Sequence, residues 1–187
     1  GLLRRQMRRA WADTIRSAYM DQVISSERAL QVHFTARLMD LFWEDGVKRR
    51  VFVEPVMHLD TGERVHPDLL ICNAKAIIGV VELKYQPKKS PNHAKDFATF
   101  ESLAARDTDM QIENRRYRGP EGGGGRYALD RDPMYVWAGV YRGPVREIPE
   151  VPLQNVDEGK LLVLHAATCA DDAPNVVAKS GSRKRQL

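Results

Sequence analysis

Residues 67–85, PDLLICNAKAIIGVVELKY, decide the fold of this chain. Val65 to Cys72 is a short apolar run interrupted by Asp68, and Ala76 to Tyr85 is a β-branched run without a polar residue before Glu82. Both patterns are typical of strands. Because so little chain separates them, we predict an antiparallel hairpin with a turn of roughly two to four residues.

This hairpin would bring acidic side chains of two strands together. Asp68 falls opposite a residue between Gly79 and Glu82, and cross-strand neighbours lie about 5 Å apart at Cβ. Side chains alternate along a strand, so Glu82 and Lys84 share one face. Carboxylate and carbonyl oxygens are the ligands that Mg²⁺ prefers. Asp68, Glu82 and the backbone carbonyl of Leu83 therefore form a candidate Mg²⁺ site.

The chemistry of such a site follows from its charges. A bound divalent ion polarises a phosphate and lowers the pKa of a water molecule, while Lys84 adds positive charge where negative charge develops. A role for Lys84 as the base stays open. The two carboxylates favour its charged form, whereas a bound dication disfavours it.

Pro67-Asp68 and Glu82-Leu83-Lys84 together resemble the motif of the PD-(D/E)XK nuclease superfamily. The resemblance extends from about Val23 to Tyr141. It implies an α/β domain of the restriction endonuclease-like fold, with an αβββαβ core and a mixed central sheet flanked by helices. It also implies a catalytic set of Asp68, Glu82 and Lys84, and hydrolysis of phosphodiester bonds, most simply in DNA, with Mg²⁺ or Mn²⁺.

An amphipathic helix is predicted within Asp21 to Glu44. Its apolar residues recur at intervals of three and four: Val23, Leu30, Phe34, Leu38 and Leu41. Glu27 lies on the same stripe, where a carboxylate needs a partner. Similar helices in the family often supply a further acid, which makes Glu27 a candidate third catalytic carboxylate and Gln31 its polar neighbour. Alternatively, Ser25 or Ser26 caps the helix and Glu27 occupies its first turn.

The remaining elements of the expected core follow in order. Val51 to Leu59 is predicted to be the first strand, and Ser90-Pro91 is predicted to start the second core helix. Met134 to Tyr141 is expected to form a strand packed on both faces, and Leu161 to Ala166 the last strand.

An extra N-terminal helix is expected at residues 1–20, as an accessory basic element of a single domain that spans residues 1–175. Its outer residues are Arg4, Arg5, Arg8, Arg9 and Arg16. This face could track phosphates, or it could be a solvated face, a membrane-surface contact or an oligomer contact. Residues 176–187, with their basic Arg183-Lys184-Arg185 run, are expected to form a flexible tail.

Residues 115–126, RRYRGPEGGGGR, form the low-complexity segment of the chain. Four consecutive glycines favour a mobile loop or hairpin between the second core helix and the strand that follows it. The candidate nucleic-acid contacts are Gln31, Lys88, Lys89, Arg115, Arg116 and Arg118. For the arginines, a solubilising surface connection is the alternative.

Length and composition limit the class of protein. The chain has 187 residues, 43% of them hydrophobic, which suits one folded domain, and its net charge of +4 is modest. No apolar run reaches the roughly 18 residues of a membrane span, so we expect no membrane partner. Two cysteines, Cys72 and Cys169, fit an intracellular (cytoplasmic) location.

Two rival functions and one assembly stay open from the sequence alone. The domain could bind nucleic acid or a partner protein without cutting, or it could be a nuclease specific for RNA or for a branched junction. A homodimer would allow two sites to cut both strands of a duplex.

Overall fold

The predicted hairpin lies at the centre of a mixed α/β fold. The computed structural model describes residues 1–74, 76–105, 109–113, 118–120, 124–181 and 183–187. Over these residues, three helices accompany an open mixed sheet of ten strands.

The helices are α1 (Leu2–Thr14), which continues as a π-helical turn at Ile15–Tyr19, α2 (Glu27–Glu44) and α3 (Ala94–Ala104). The strands are β1 (Arg50–Val53), β2 (Val56–His58), β3 (Arg64–Val65), β4 (Leu69–Cys72), β5 (Ala76–Gln86), β6 (Asp109–Glu113), β7 (Gly124–Arg142), β8 (Leu161–Thr168), β9 (Asn175–Ser180) and β10 (Arg183–Gln186).

Strand pairing is antiparallel at both ends of the sheet and parallel in its middle. β4 and β5 form the predicted antiparallel hairpin, with Leu69 opposite Val81. β5 then pairs in parallel with β7, and β7 pairs in parallel with β8. β7 is long enough to pair with two strands along its other edge, with β6 antiparallel to its first part and β8 parallel to its second part. The mixed sheet is therefore confirmed.

Helices cover both faces of the sheet. α1 and α2 pack on one face, where their buried side chains share a core with alternate residues of β5 and β7. α3 packs on the other face through Phe97, Phe100 and Leu103. Trp11 fastens the extra N-terminal helix to β8, since its Nε1–H donates to the His165 carbonyl at 3.1 Å. The flanking helices and the accessory N-terminal helix are confirmed.

Two strand predictions are wrong at prolines. The strand expected from Val51 to Leu59 is broken at Glu54-Pro55 into β1 and β2, which pair with different partners. Glu54 has φ 46°, a left-handed conformation that no regular strand contains. The strand expected around Asp68 likewise begins only at Leu69, after a proline that lacks an N–H for the ladder.

Two further boundaries also differ. α3 begins at Ala94, after an N-cap at His93, and not at Ser90-Pro91. Gly124, Gly125 and Arg126, at the end of the glycine-rich segment, belong to β7 and pair antiparallel with β6. Residues 115–117 and 121–123 of that segment lie outside the described residues.

The flexible tail expected at residues 176–187 is wrong. β9 pairs with β8, and β10 pairs with β9, so the domain continues past residue 175 and Leu161–Thr168 is not the last strand. Val176, Val177 and Ala178 are buried. Burial of this apolar run stabilises its pairing with the otherwise open edge of β8, so these residues form a strand and not a tail. Within the described residues, no helix is both long and apolar enough to cross a membrane.

Burial of β9 leads to a stability prediction. Val177 is fully buried, so Val177→Ala is expected to lower the free energy of unfolding by about 2 kcal/mol, from lost apolar contact and the cavity left behind. Urea unfolding followed by circular dichroism measures the change. Lys184→Ala on exposed β10 is the control and should change it by less than about 0.5 kcal/mol. Equal, negligible effects would mean that residues 175–187 do not pack on the sheet.

Candidate active site

The open end of the β4–β5 hairpin brings Asp68 and Glu82 together. Leu69 pairs with Val81 in this antiparallel pair. Asp68, one residue before Leu69, therefore lies beside Glu82, one residue after Val81. The Asp68 carboxyl is near enough to that of Glu82 to raise its pKa. Asp68 Oδ2 also accepts the backbone N–H of Leu83 at 2.6 Å, which fixes the carboxyl group against β5.

Leu83 presents its backbone to the same place. It lies beyond Val81, the last residue of β5 that pairs with β4. The N–H and C=O of one strand residue point to the same edge, and the N–H of Leu83 is bonded to Asp68. The Leu83 carbonyl therefore points to the edge of β5 that carries Asp68, as the predicted ligand set requires.

The backbone of Asp68 is held by two neighbours. Its carbonyl accepts the backbone N–H of Glu54 at 2.8 Å and the side-chain amide of Gln31 at 3.2 Å. Gln31 is 5% exposed. This position makes it the polar neighbour expected on α2, and it favours a role in holding Asp68 over the nucleic-acid contact also predicted for it.

The structure shows the capped N-terminus of α2, and it also places Glu27 beside the candidate site. Ser26 is the N-cap, and its Oγ accepts the Ala29 N–H at 3.1 Å. Glu27 in the first turn accepts the Tyr85 N–H at 3.0 Å and lies 4.0 Å from Lys84 Nζ. Its carboxylate thus borders the site, while its role as a third catalytic acid stays a prediction.

Asp96 on α3 is the site residue that sequence reasoning missed. It is 5% exposed, and its Oδ1 lies 3.3 Å from Lys84 Nζ. Its Oδ2 accepts the Nε1–H of fully buried Trp137 at 3.0 Å. The sequence does contain a signal for Asp96. It lies four residues before Phe100 on the apolar stripe of α3, and an acid on a buried face needs a partner.

Gly139 makes room for the ring that anchors Asp96. In the β5–β7 register it stands opposite Lys84. A Cβ at this position would lie 2.2 Å from Cη2 of Trp137. Any side chain here would therefore displace the indole ring and the hydrogen bond that it donates to Asp96.

Burial sets the proton affinities of the two carboxyl groups. It raises the pKa of Asp68 to about 6, although the Leu83 N–H acts in the opposite direction. Burial raises the pKa of Glu82 to about 9, and the neighbouring carboxyls of Asp68 and Asp96 add to the effect. At neutral pH the pair thus favours a proton or another cation between its oxygens.

The pKa of Lys84 is governed by its acidic neighbours more than by burial. Burial would lower the pKa of its ammonium group, but the carboxylates of Asp96 and Glu27 outweigh burial, and the pKa lies above its ordinary value. Lys84 is therefore positively charged in this structure. It stands on the same face of β5 as Glu82, as predicted.

The donor set fits the Mg²⁺ or Mn²⁺ that the sequence implies. All its donors are hard oxygens, and two buried carboxyls repel each other where no cation compensates them. Within the described part of the chain, no group of three or more His, Cys, Asp or Glu side chains is arranged around one ion position. Such a site matches Mg²⁺, which is typically bound by one or two carboxylates and completed by waters and phosphate.

The other predicted contacts lie further out. Lys88 and Lys89 are exposed directly after β5, and Arg118 is exposed in a short described segment. Arg115 and Arg116 lie outside the described residues. Binding of nucleic acid at these positions stays a prediction.

No family model matches the chain, and neither the curated proteins nor the solved structures contain a match. The geometry of these side chains therefore carries the functional argument.

The raised pKa of Glu82 makes stability depend on pH. In the unfolded chain its pKa is about 4.3, so the folded state binds more protons up to about pH 9, and folding weakens as pH rises through that window. Glu82→Gln removes this cost. In a chelator, its free energy of unfolding should rise relative to wild type between about pH 5 and pH 9, by at most about 1.4 kcal/mol per pH unit.

Urea unfolding at several pH values measures this difference. Glu150→Gln, at an exposed glutamate, is the control, and its difference from wild type should stay flat over the same range. If Glu82→Gln were also flat, the Glu82 carboxyl would ionise alike in the folded and unfolded chains.

Proposed function

We propose that this protein is a metal-dependent nuclease of the restriction endonuclease-like fold, which hydrolyses phosphodiester bonds in DNA. The observation that supports the proposal best is the placement of Asp68 beside Glu82 by the β4–β5 register, with Asp68 bonded to the Leu83 N–H and Lys84 on the same face of β5 as Glu82. The element order from α2 to β7 supports the fold assignment, because a helix, several strands, a second helix and a further strand follow one another.

Each residue has a distinct role in this proposal. Asp68, Glu82 and the Leu83 carbonyl would hold Mg²⁺ or Mn²⁺, which when bound polarises the scissile phosphate and lowers the pKa of a water molecule. Lys84 places a fixed positive charge near the phosphate oxygens where negative charge develops. The carboxylates of Asp96 and Glu27 favour its charged form and so support this electrostatic role, while a bound dication acts in the opposite direction and leaves the role of base open.

Asp96 acts as a positioning residue for Lys84. Trp137 binds one of its oxygens, and the other faces the ammonium group, so the carboxylate cannot turn away from Lys84 without losing a buried hydrogen bond. Gly139 supports this arrangement by leaving space for the indole ring. The lysine is thereby held by a chain of contacts that begins in β7.

DNA is chosen as the substrate by analogy with the superfamily that the motif resembles, since a fold does not by itself fix a function. Cleavage assays on single-stranded, duplex and branched DNA and on RNA decide between the substrate classes. Binding without any cleavage would instead favour a non-catalytic subunit.

The first test removes the carboxylates. Asp68→Asn and Glu82→Gln are each expected to lower the rate of DNA cleavage in Mg²⁺ by at least about 100-fold, because each removes a charge that holds the ion. Gel assays with labelled DNA measure the rate, and Asp60→Asn on an exposed turn is the control. Cleavage by both variants at the wild-type rate, or wild-type cleavage that persists in a chelator, would refute the proposal.

The second test addresses Asp96. Asp96→Asn keeps an acceptor for Trp137 but removes the charge beside Lys84. We expect cleavage to fall by about 10- to 100-fold and its high-pH limb to shift to lower pH, because the ammonium group loses the carboxylate that raises its pKa most. A pH–rate profile measures both effects. An unchanged profile with a reduced rate would assign Asp96 a structural role only.

A further inference from the structure

An open groove of about 690 Å³ runs between α1 and β10, on the part of the molecule where the two ends of the described chain meet. Its charged lining is almost wholly basic, with one acid, Asp13. The basic residues are Arg4, Arg5, Arg8, Arg9, Arg16 and Arg185. We call it the arginine groove.

Three of these arginines are occupied by the protein itself. Arg4 donates to the carbonyls of Leu161 and Gly159 and to the hydroxyl of Ser180. Arg16 donates to the carbonyl of Leu187, and Arg9 lies 3.1 Å from Glu44 and 3.8 Å from Asp13. They shape the groove and fasten β10 and its neighbours to α1.

The other three arginines have no acidic partner among the described residues. Over the described residues, Arg5, Arg8 and Arg185 form no ion pair within 4.0 Å. The Nε–H of Arg8 is inaccessible and has no hydrogen-bond acceptor there either. Burial, followed by the positive charge of Arg185, lowers the pKa of Arg8. Like charges thus face each other across the groove, an arrangement that an anion between them would relieve.

The packing of α1 argues against a lipid surface as that anion. A helix that lies on a membrane inserts an apolar face below its basic face. In α1, the apolar stripe of Met7, Trp11 and Ile15 is at most 1% exposed, because it packs on α2 and the sheet. Only the basic face is available to a partner.

We propose that the arginine groove binds the sugar-phosphate backbone of a nucleic-acid strand. Arg5 and Arg8 lie about one turn apart on α1, and Arg185 stands near Arg8 from β10, so these three guanidinium groups lie along the groove. Guanidinium groups bind phosphate oxygens through two parallel hydrogen bonds, so arginine suits this contact better than lysine. This binding is separate from the proposed cleavage and needs no metal.

The experiment compares two double variants that remove the same charge. Arg5→Gln with Arg185→Gln changes the groove, and Arg64→Gln with Arg131→Gln changes exposed positions on β3 and β7. Fluorescence anisotropy with a labelled DNA single strand, in a chelator and from about 50 to about 200 mM salt, gives the affinity and its salt dependence. Circular dichroism verifies that every variant is folded.

The groove variant is expected to bind on the order of ten-fold more weakly at low salt, with a salt slope shallower by about 1.4, since each single-strand phosphate contact contributes about 0.7. The control variant should keep the wild-type slope. Equal losses in both variants would overturn the proposal, because net charge alone would then explain binding. Absence of DNA binding by the wild type would also overturn it, whether or not the protein sediments with anionic phosphatidylserine vesicles.

These results can be separated from the test of the proposed nuclease. If the wild type does not cut DNA but loses salt-dependent binding in the groove variant, the groove is supported and the nuclease proposal fails. If Asp68→Asn loses cleavage and the groove variant binds as tightly as wild type, the nuclease proposal is supported and the groove fails.

Discussion

The hydrogen bond from the Leu83 N–H to the Asp68 carboxylate is the contact on which the candidate site depends. It forms only because Leu69 and Val81 are in register and because β4 begins at Leu69, which frees the edge of β5 for a side chain. A slip of one residue would turn every alternate side chain of β5 to the opposite face. The pairing of two short apolar strands therefore determines both the buried core and the place where the acids meet.

Around that contact, each element contributes a group of different charge or polarity. α2 supplies Gln31 and Glu27, α3 supplies Asp96, and β7 supplies Trp137 and the space at Gly139. Four carboxyl groups, those of Asp68, Glu82, Glu27 and Asp96, lie near the single ammonium group of Lys84, so the site holds more acid than base. An excess of buried negative charge is costly unless a proton or a cation offsets it. This imbalance is the physical reason for proposing a cation at the site.

The parts that the sequence predicted correctly depend on local patterns. The hairpin, the capped helix α2 and the apolar strand within β7 each follow from periodicity, turn residues or a cap within a few positions. The contact between Lys84 and Asp96 crosses from strand to helix, so no local pattern specifies it. The break at Glu54 depends on a left-handed backbone conformation, and the strand at Val177 depends on an exposed neighbouring edge. Both are decided by tertiary structure.

The position of β10 determines at which stage of folding the arginine groove, the proposed binding surface, is complete. α1 and β10 come from opposite ends of the described sequence, and β8 and β9 must be in place before Arg185 can stand beside Arg8. Contacts between such distant residues form late, because the intervening chain must be ordered first. A nascent or partly folded chain would carry the same arginines without the concave surface. Strong affinity would thus be a property of the finished molecule and would be withheld during its synthesis.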